Sequence, residues 1–157
     1  MKIILSILLI ILVITSKNFS INKFDERINT MKLNVGIITQ YINESKTFYI
    51  DKLGFEIVFE NEWFLLISTP DGKYNLAFMI PDHPSQKPIF QNEFNGKGIF
   101  ITIEVQNVDE KYEEIKKLNI PIEVEIRDEE WGDRHFAIVD PNGIGIDFVT
   151  NNLFDNN

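Results

Sequence analysis

Two histidines, a tryptophan–arginine pair and a run of carboxylates hold most of the side-chain chemistry this chain offers. His135 opens a β-rich run and is the residue type that exchanges protons near neutral pH. No partner for it is identifiable along the sequence, so it reads as a half-buried histidine with satisfied hydrogen bonds rather than as an acid or base. His83, in Pro81-Asp82-His83-Pro84, reads as a solvated loop residue. The segment Trp131-Gly132-Asp133-Arg134 leaves two readings open. Trp131 could close over a bound molecule while Arg134 holds its carboxylate, or Trp131 could cap the core while Arg134 braces a turn through Asp140. Asp128-Glu129-Glu130 beside them reads as a solvated charge run that adds negative field.

Other chemistries are excluded. The chain has no cysteine, so disulfides, thiolate nucleophiles and cysteine-based metal sites are absent. It shows no Ser-His-Asp spacing, phosphate loop or paired-carboxylate motif of the kinds that carry nucleophilic or phosphate chemistry. A net charge of −9 argues against a nucleic-acid partner, because phosphate backbones are bound by Lys and Arg. With 44% hydrophobic and 25% charged residues, the 157-residue chain can bury a real core as a soluble globular domain. Thirteen phenylalanines imply that aromatic side chains line a core, a cavity or an interface.

The elements that must position these residues repeat. Residues 33–39 read as a strand, and Asn43 opens a helical segment through Phe48, Tyr49 and Leu53 that stops at Gly54. Strands follow at 55–59, 63–68 and 74–80, the last two joined by the turn Pro70-Asp71-Gly72. After a connector containing Pro81, Pro84 and Pro88 the order returns. A strand at 99–105 leads to a helix capped by Asn107 or Asp109, with Tyr112 and Ile115 on its apolar side. Strands at 122–126, 135–139 and 144–149 complete the unit, the last two joined by Asp140-Pro141-Asn142-Gly143. Each unit is β-α-β-β-β. The expected fold is therefore α+β, two βαβββ modules forming an open, eight-stranded, barrel-like sheet around a cleft.

The first residues stand apart. Lys2 precedes an apolar run over residues 3–14 that is too short to span a bilayer as a helix and suits a signal peptide. The expected organisation is a signal-peptide-like segment at 1–16, a linker at 17–30, a domain at 31–150 with modules at about 31–85 and 97–150, and a polar tail at 151–157. Export or membrane anchoring through residues 3–14 is the expected localisation; a translation start at Met31 would leave the protein cytoplasmic. Residues 1–30 carry Lys2, Lys17, Lys23 and Arg27 against Asp25 and Glu26, a net of +2, which leaves −11 on residues 31–157.

Several motifs, in order and at these spacings, resemble the vicinal-oxygen-chelate superfamily of glyoxalases, bleomycin-resistance proteins and extradiol dioxygenases. They are Phe48-Tyr49 with Leu53-Gly54-Phe55, Val108-Asp109-Glu110-Lys111-Tyr112, and Glu130 to Phe136 followed by Asp140-Pro141-Asn142-Gly143. The last resembles the metal-free, drug-binding branch. In the family's metal enzymes, inward positions of both modules hold His, Gln or Glu. The equivalent positions here read Asn34, a fourth-strand residue near Phe78 or Met79, Phe100, and Asp147. Phe cannot ligate, Asn is a weak neutral donor, and one carboxylate does not hold a catalytic zinc or iron. The resemblance thus implies no catalytic residues, no cofactor, and a cleft that binds a small organic molecule, cationic or amphiphilic and antibiotic-like, in a homodimer. Trp131, Phe100 and Phe64 would supply stacking faces, Asp147 and Glu104 negative charge, and Asn34 and Arg134 polar contacts. The alternative is a lyase or isomerase of lactoylglutathione-lyase type using an atypical divalent metal site. A third reading is a dimerisation scaffold whose cleft is filled by its own Phe side chains.

Overall fold

The computed structural model describes residues 32–151. The signal-peptide-like segment, the linker and most of the tail expected from the sequence lie outside the described residues. Among the described residues, those from Asn34 onward form one compact unit. Among the described residues no helix is long and apolar enough to cross a membrane.

The first module runs β1 (Asn34–Ile38), α1 (Ile42–Lys46), β2 (Glu56–Glu60), β3 (Phe64–Ser68) and β4 (Asn75–Met79). The second runs β5 (Phe100–Glu104), α2 (Val108–Lys117), β6 (Val124–Asp128), β7 (Asp133–Val139) and β8 (Gly145–Asn151). Their sheets have matching orders, β1-β4-β3-β2 and β5-β8-β7-β6, each with one parallel pair and two antiparallel pairs. The α+β class and the two βαβββ modules are those the sequence implies. The eight strands form two separate sheets rather than a closed barrel.

Strand alternation divides each sheet into two faces. One face packs under the module's helix. In the first module it contributes Ile37, Leu65, Ile67, Leu76 and Phe78, buried against Phe48, Tyr49 and Phe55. In the second it contributes Phe136, Ile138, Ile146 and Phe148, buried against Val108 and Ile115. A fully buried side chain of this kind stabilises by about 1.5–3 kcal/mol, so this face anchors the strands. Among the described residues no α-helix packs on the other, open face of each sheet.

The repeat extends to backbone geometry. Gly72 and Gly143 occupy the same turn with φ of 71° and 79°, a region open to glycine at no steric cost. Each helix segment is followed by one left-handed residue, Gly54 at φ 78° and Asn119 at φ 56°, the usual way a helix end is turned. Asn107 caps α2, its side chain accepting from the Glu110 amide at 3.1 Å and so satisfying one of the free amides of the first turn.

The two helices differ in one respect. Instead of one helix from Asn43 to Leu53, α1 widens into a π-helical turn over Thr47–Lys52. The Phe55 amide bonds the carbonyl of Tyr49, six residues back, whereas the equivalent Ile120 amide bonds Ile115, five residues back. The first module thus holds one extra residue, and the bulge absorbs it.

Candidate functional site

The open faces collect most of the residues singled out above. In the first module Asn34, Phe64 and Met79 share this face with Leu66, Ala77 and Phe59 of the edge strand β2. Asn34 is exposed, and its side-chain oxygen accepts from Asn75 Nδ2 at 2.8 Å. Phe64 is half-buried beside Phe59, ring centroids 6.2 Å apart. Phe78, the other candidate for the fourth-strand position, points into the core and is fully buried. This face is therefore apolar and aromatic, with one amide pair at its end.

In the second module Phe100, Thr102 and Glu104 of β5 lie beside Gly145, Asp147 and Val149 of β8. His135 and Ala137 of β7 continue the same face. Phe100 is 73% exposed. Glu104 is exposed as well.

His135 finds the partners that the sequence did not disclose. Its Nδ1 lies 2.7 Å from Asp147 Oδ1, and its Nε2 lies 3.0 Å from Glu129 Oε1. Glu129 also accepts from Arg127 Nε at 2.6 Å. An imidazolium, with a proton on each nitrogen, satisfies both carboxylates at once. Burial alone lowers the His135 pKa, but hydrogen bonds and charge from Asp147 and Glu129 outweigh it, and the net shift is upward. Glu129 shifts downward, chiefly through its hydrogen bond to His135 against a smaller opposing desolvation. Asp128-Glu129-Glu130 is accordingly not a uniformly solvated run, because the Glu129 side chain is only 14% exposed. The signal that could have revealed the His135–Asp147 contact was the hairpin register: Asp147 lies opposite Ala137, diagonal to His135 and within reach of a long side chain.

Three expectations are corrected. Arg134 projects on the helix side of β7, the face of Phe136, where its guanidinium grips Asp109 at 2.8 and 2.9 Å and Asp128 at 3.1 Å. It lies on the face opposite to His135 and pairs with Asp109 and Asp128 rather than with Asp140. Trp131 is 62% exposed and donates from Nε1 to Asp133 at 2.9 Å, so it does not cap the core. It stands in the β6–β7 hairpin, its indole tied to Asp133, which shares the β7 alternation of His135. His83 is not free in solvent but stacks on Trp63, centroids 4.2 Å apart and planes at 13°.

The donor set does not fit a catalytic divalent metal. Phe100 and Met79 supply no hard donor, while Asn34 is tied to Asn75 and Asp147 is tied to His135. Among the described residues no three His, Asp or Glu side chains are grouped to hold an ion. What the open faces offer is aromatic surface on one sheet, and aromatic surface beside carboxylates on the other.

Two βαβββ modules in tandem, each with one helix-covered and one open face, define a class of paired-module α+β domains. Comparison with known proteins places the chain within that class: residues 30–148 match the Glyoxalase/Bleomycin resistance protein/Dioxygenase superfamily, and the chain belongs to it. A bleomycin resistance protein from Geobacillus stearothermophilus is 30% identical over 114 residues, covering 68% of this chain and 86% of that protein. A lactoylglutathione lyase from Agrobacterium tumefaciens shares the fold with a TM-score of 0.65 at 21% identity, covering 80% of this chain and 97% of that one. A bleomycin resistance determinant encoded on the transposon Tn5 shares it with a TM-score of 0.58 at 22% identity, covering 79% and 100%.

Proposed function

We propose that the protein binds a small organic molecule on the open faces of its two modules, without a metal, as the bleomycin-resistance branch of the superfamily would do. The observation that carries this reading is the pairing of exposed Phe100 with the carboxylates Asp147 and Glu104 on one sheet face, in place of metal-binding donors. A ligand with a flat apolar part and a cationic part would stack on Phe100 and Phe64 and place its charge near Asp147. The net charge of −11 on residues 31–157 favours approach of a cation.

Thermal-shift measurements with bleomycin and with a panel of planar cationic amphiphiles test it. A ligand at about 100 times its Kd adds about 2.7 kcal/mol to stability, a readily detected rise in Tm. The absence of any stabiliser across the panel would overturn the reading. So would stoichiometric zinc, nickel, iron or manganese in protein purified without chelators, which would point instead to a metal-dependent lyase.

The binding protein is proposed to be a homodimer, since a second chain would cover the open faces and their exposed aromatic side chains; sedimentation equilibrium reads this directly. Export through residues 3–14 is part of the same proposal, and the mass of the natural N-terminus decides it, a start at Met31 ruling it out.

A further inference from the structure

The two modules are joined by side chains rather than by sheet. The Tyr49 hydroxyl, at the π-turn of the first module, donates to Asp140 Oδ2 in the turn that opens β8 of the second, at 3.0 Å. Tyr49 is fully buried and Asp140 is 5% exposed. Asp140 collects three further donors from its own turn: the amides of Asn142 and Ile144 at 2.8 and 2.9 Å, and Asn142 Nδ2 at 2.9 Å. Asn142 Nδ2 in turn reaches Ser45 Oγ of α1 at 3.0 Å, and Ser45 is fully buried. Residues 91 and 97 apart in sequence therefore meet in one buried polar cluster.

This contact has no counterpart in the repeat. The residue that takes the place of Tyr49 in α2 is Ile115, and the residue that takes the place of Asp140 in the first turn is Thr69. Neither can make the bond: Ile115 lacks a hydroxyl and Thr69 lacks a carboxylate. The extra residue of the π-turn falls at the same point, between Phe48 and Leu53. A bond made once, between non-equivalent positions, at a local insertion, specifies one arrangement of the modules and no reverse one.

We propose that the Tyr49–Asp140 bond is the pin that makes the two modules of one chain a single cooperative unit and fixes how their open faces stand to each other. Without it the buried apolar side chains of both modules stay packed, while the second module is left with a buried carboxylate short of one donor. The first module would merely exchange a tyrosine for a phenylalanine in an aromatic cluster with Phe48, Phe55 and Phe78.

The two tryptophans give one reporter per module, Trp63 in the first and Trp131 in the second. Full-length protein carrying either Trp131→Phe or Trp63→Phe is unfolded in urea and followed by fluorescence, with and without Tyr49→Phe. With Tyr49 present the two reporters should give the same midpoint. With Tyr49→Phe the Trp131 midpoint should fall while the Trp63 midpoint holds, so that the curves separate. Asp140→Asn, which keeps the shape but removes the charge, should separate them as well and serves if Tyr49→Phe does not fold. Coincident midpoints in both variants would overturn the proposal. Loss of both modules together in both variants would overturn it equally, by showing that the bond does not act at the seam alone.

Discussion

Phe136 and Phe100 sit in the same module on opposite faces of one sheet, and they should respond very unequally to the same substitution. Phe136 is fully buried, stacks on Phe148 with centroids 5.0 Å apart, and meets Tyr112 edge-on at 5.2 Å. Replacing it by Leu removes about three carbons from the core, worth about 2 kcal/mol at ~0.8 kcal/mol per methylene. Two aromatic pairs are also lost, at about 0.5–1.5 kcal/mol each. Phe136→Leu should therefore destabilise by about 3–5 kcal/mol and lower Tm by roughly 10–20 °C. Phe100→Leu removes the same atoms from a side chain that is 73% exposed, so its cost in the monomer should stay below about 0.5 kcal/mol. Urea unfolding followed by circular dichroism, at two protein concentrations and with the m-value checked for constancy, measures both. If a dimer covers Phe100, its substitution costs more at high concentration and nothing at low. A Phe100→Leu loss equal to that of Phe136→Leu in dilute solution would refute the assignment of an open face.

His135 has a folded-state pKa above its ordinary value, which is about 6.5 in the unfolded chain. Its stabilising contribution is complete below about pH 6.5 and is lost as pH rises through the folded pKa, so the stability gap between the parent and His135→Gln should narrow over that interval. Urea midpoints across a pH series read this; a gap that stays constant would show that the imidazolium is not what binds Asp147 and Glu129. Asp147→Asn should weaken binding of any cationic ligand found by thermal shift by roughly tenfold, a loss of about 1.4 kcal/mol, while a neutral amphiphile binds as before; calorimetry separates the two. Asn107→Ala removes the α2 cap and should cost about 1 kcal/mol in the same unfolding assay, with ligand affinity unchanged.

Much of this fold is legible in the sequence, because its signals are local. The turn glycines Gly72 and Gly143, the helix stop at Gly54 and the alternation along β6 each act within a few residues. The duplication is visible for the same reason. The π-turn was not legible, since a single inserted residue changes no propensity and shows itself only as a shift in hydrogen-bond partner. The site divides in the same way. The open-face placement of Phe64, Phe100, Glu104 and Asp147 follows from strand alternation once the strands are placed. Arg134 fails by one residue of register: it neighbours His135 and so points to the other face. Trp131 was ambiguous because a hairpin has no alternation to orient it. The Tyr49–Asp140 bond spans 91 residues, and nothing in either segment announces the other.

The edge strand β2 reads Glu-Ile-Val-Phe-Glu, and every one of its side chains is exposed. Three consecutive β-forming apolar residues on an edge that no described strand pairs, with no proline among them, are a template for pairing with another molecule. Glu56 and Glu60 bracket the run as gatekeepers. Glu60 is already engaged by Lys46 at 2.7 Å. Colloidal behaviour should therefore depend on charge repulsion at this ribbon, and salt screens that repulsion. Concentrated solutions should stay clear at low ionic strength and scatter light as it is raised, and Val58→Lys should suppress the scattering without moving the unfolding midpoint.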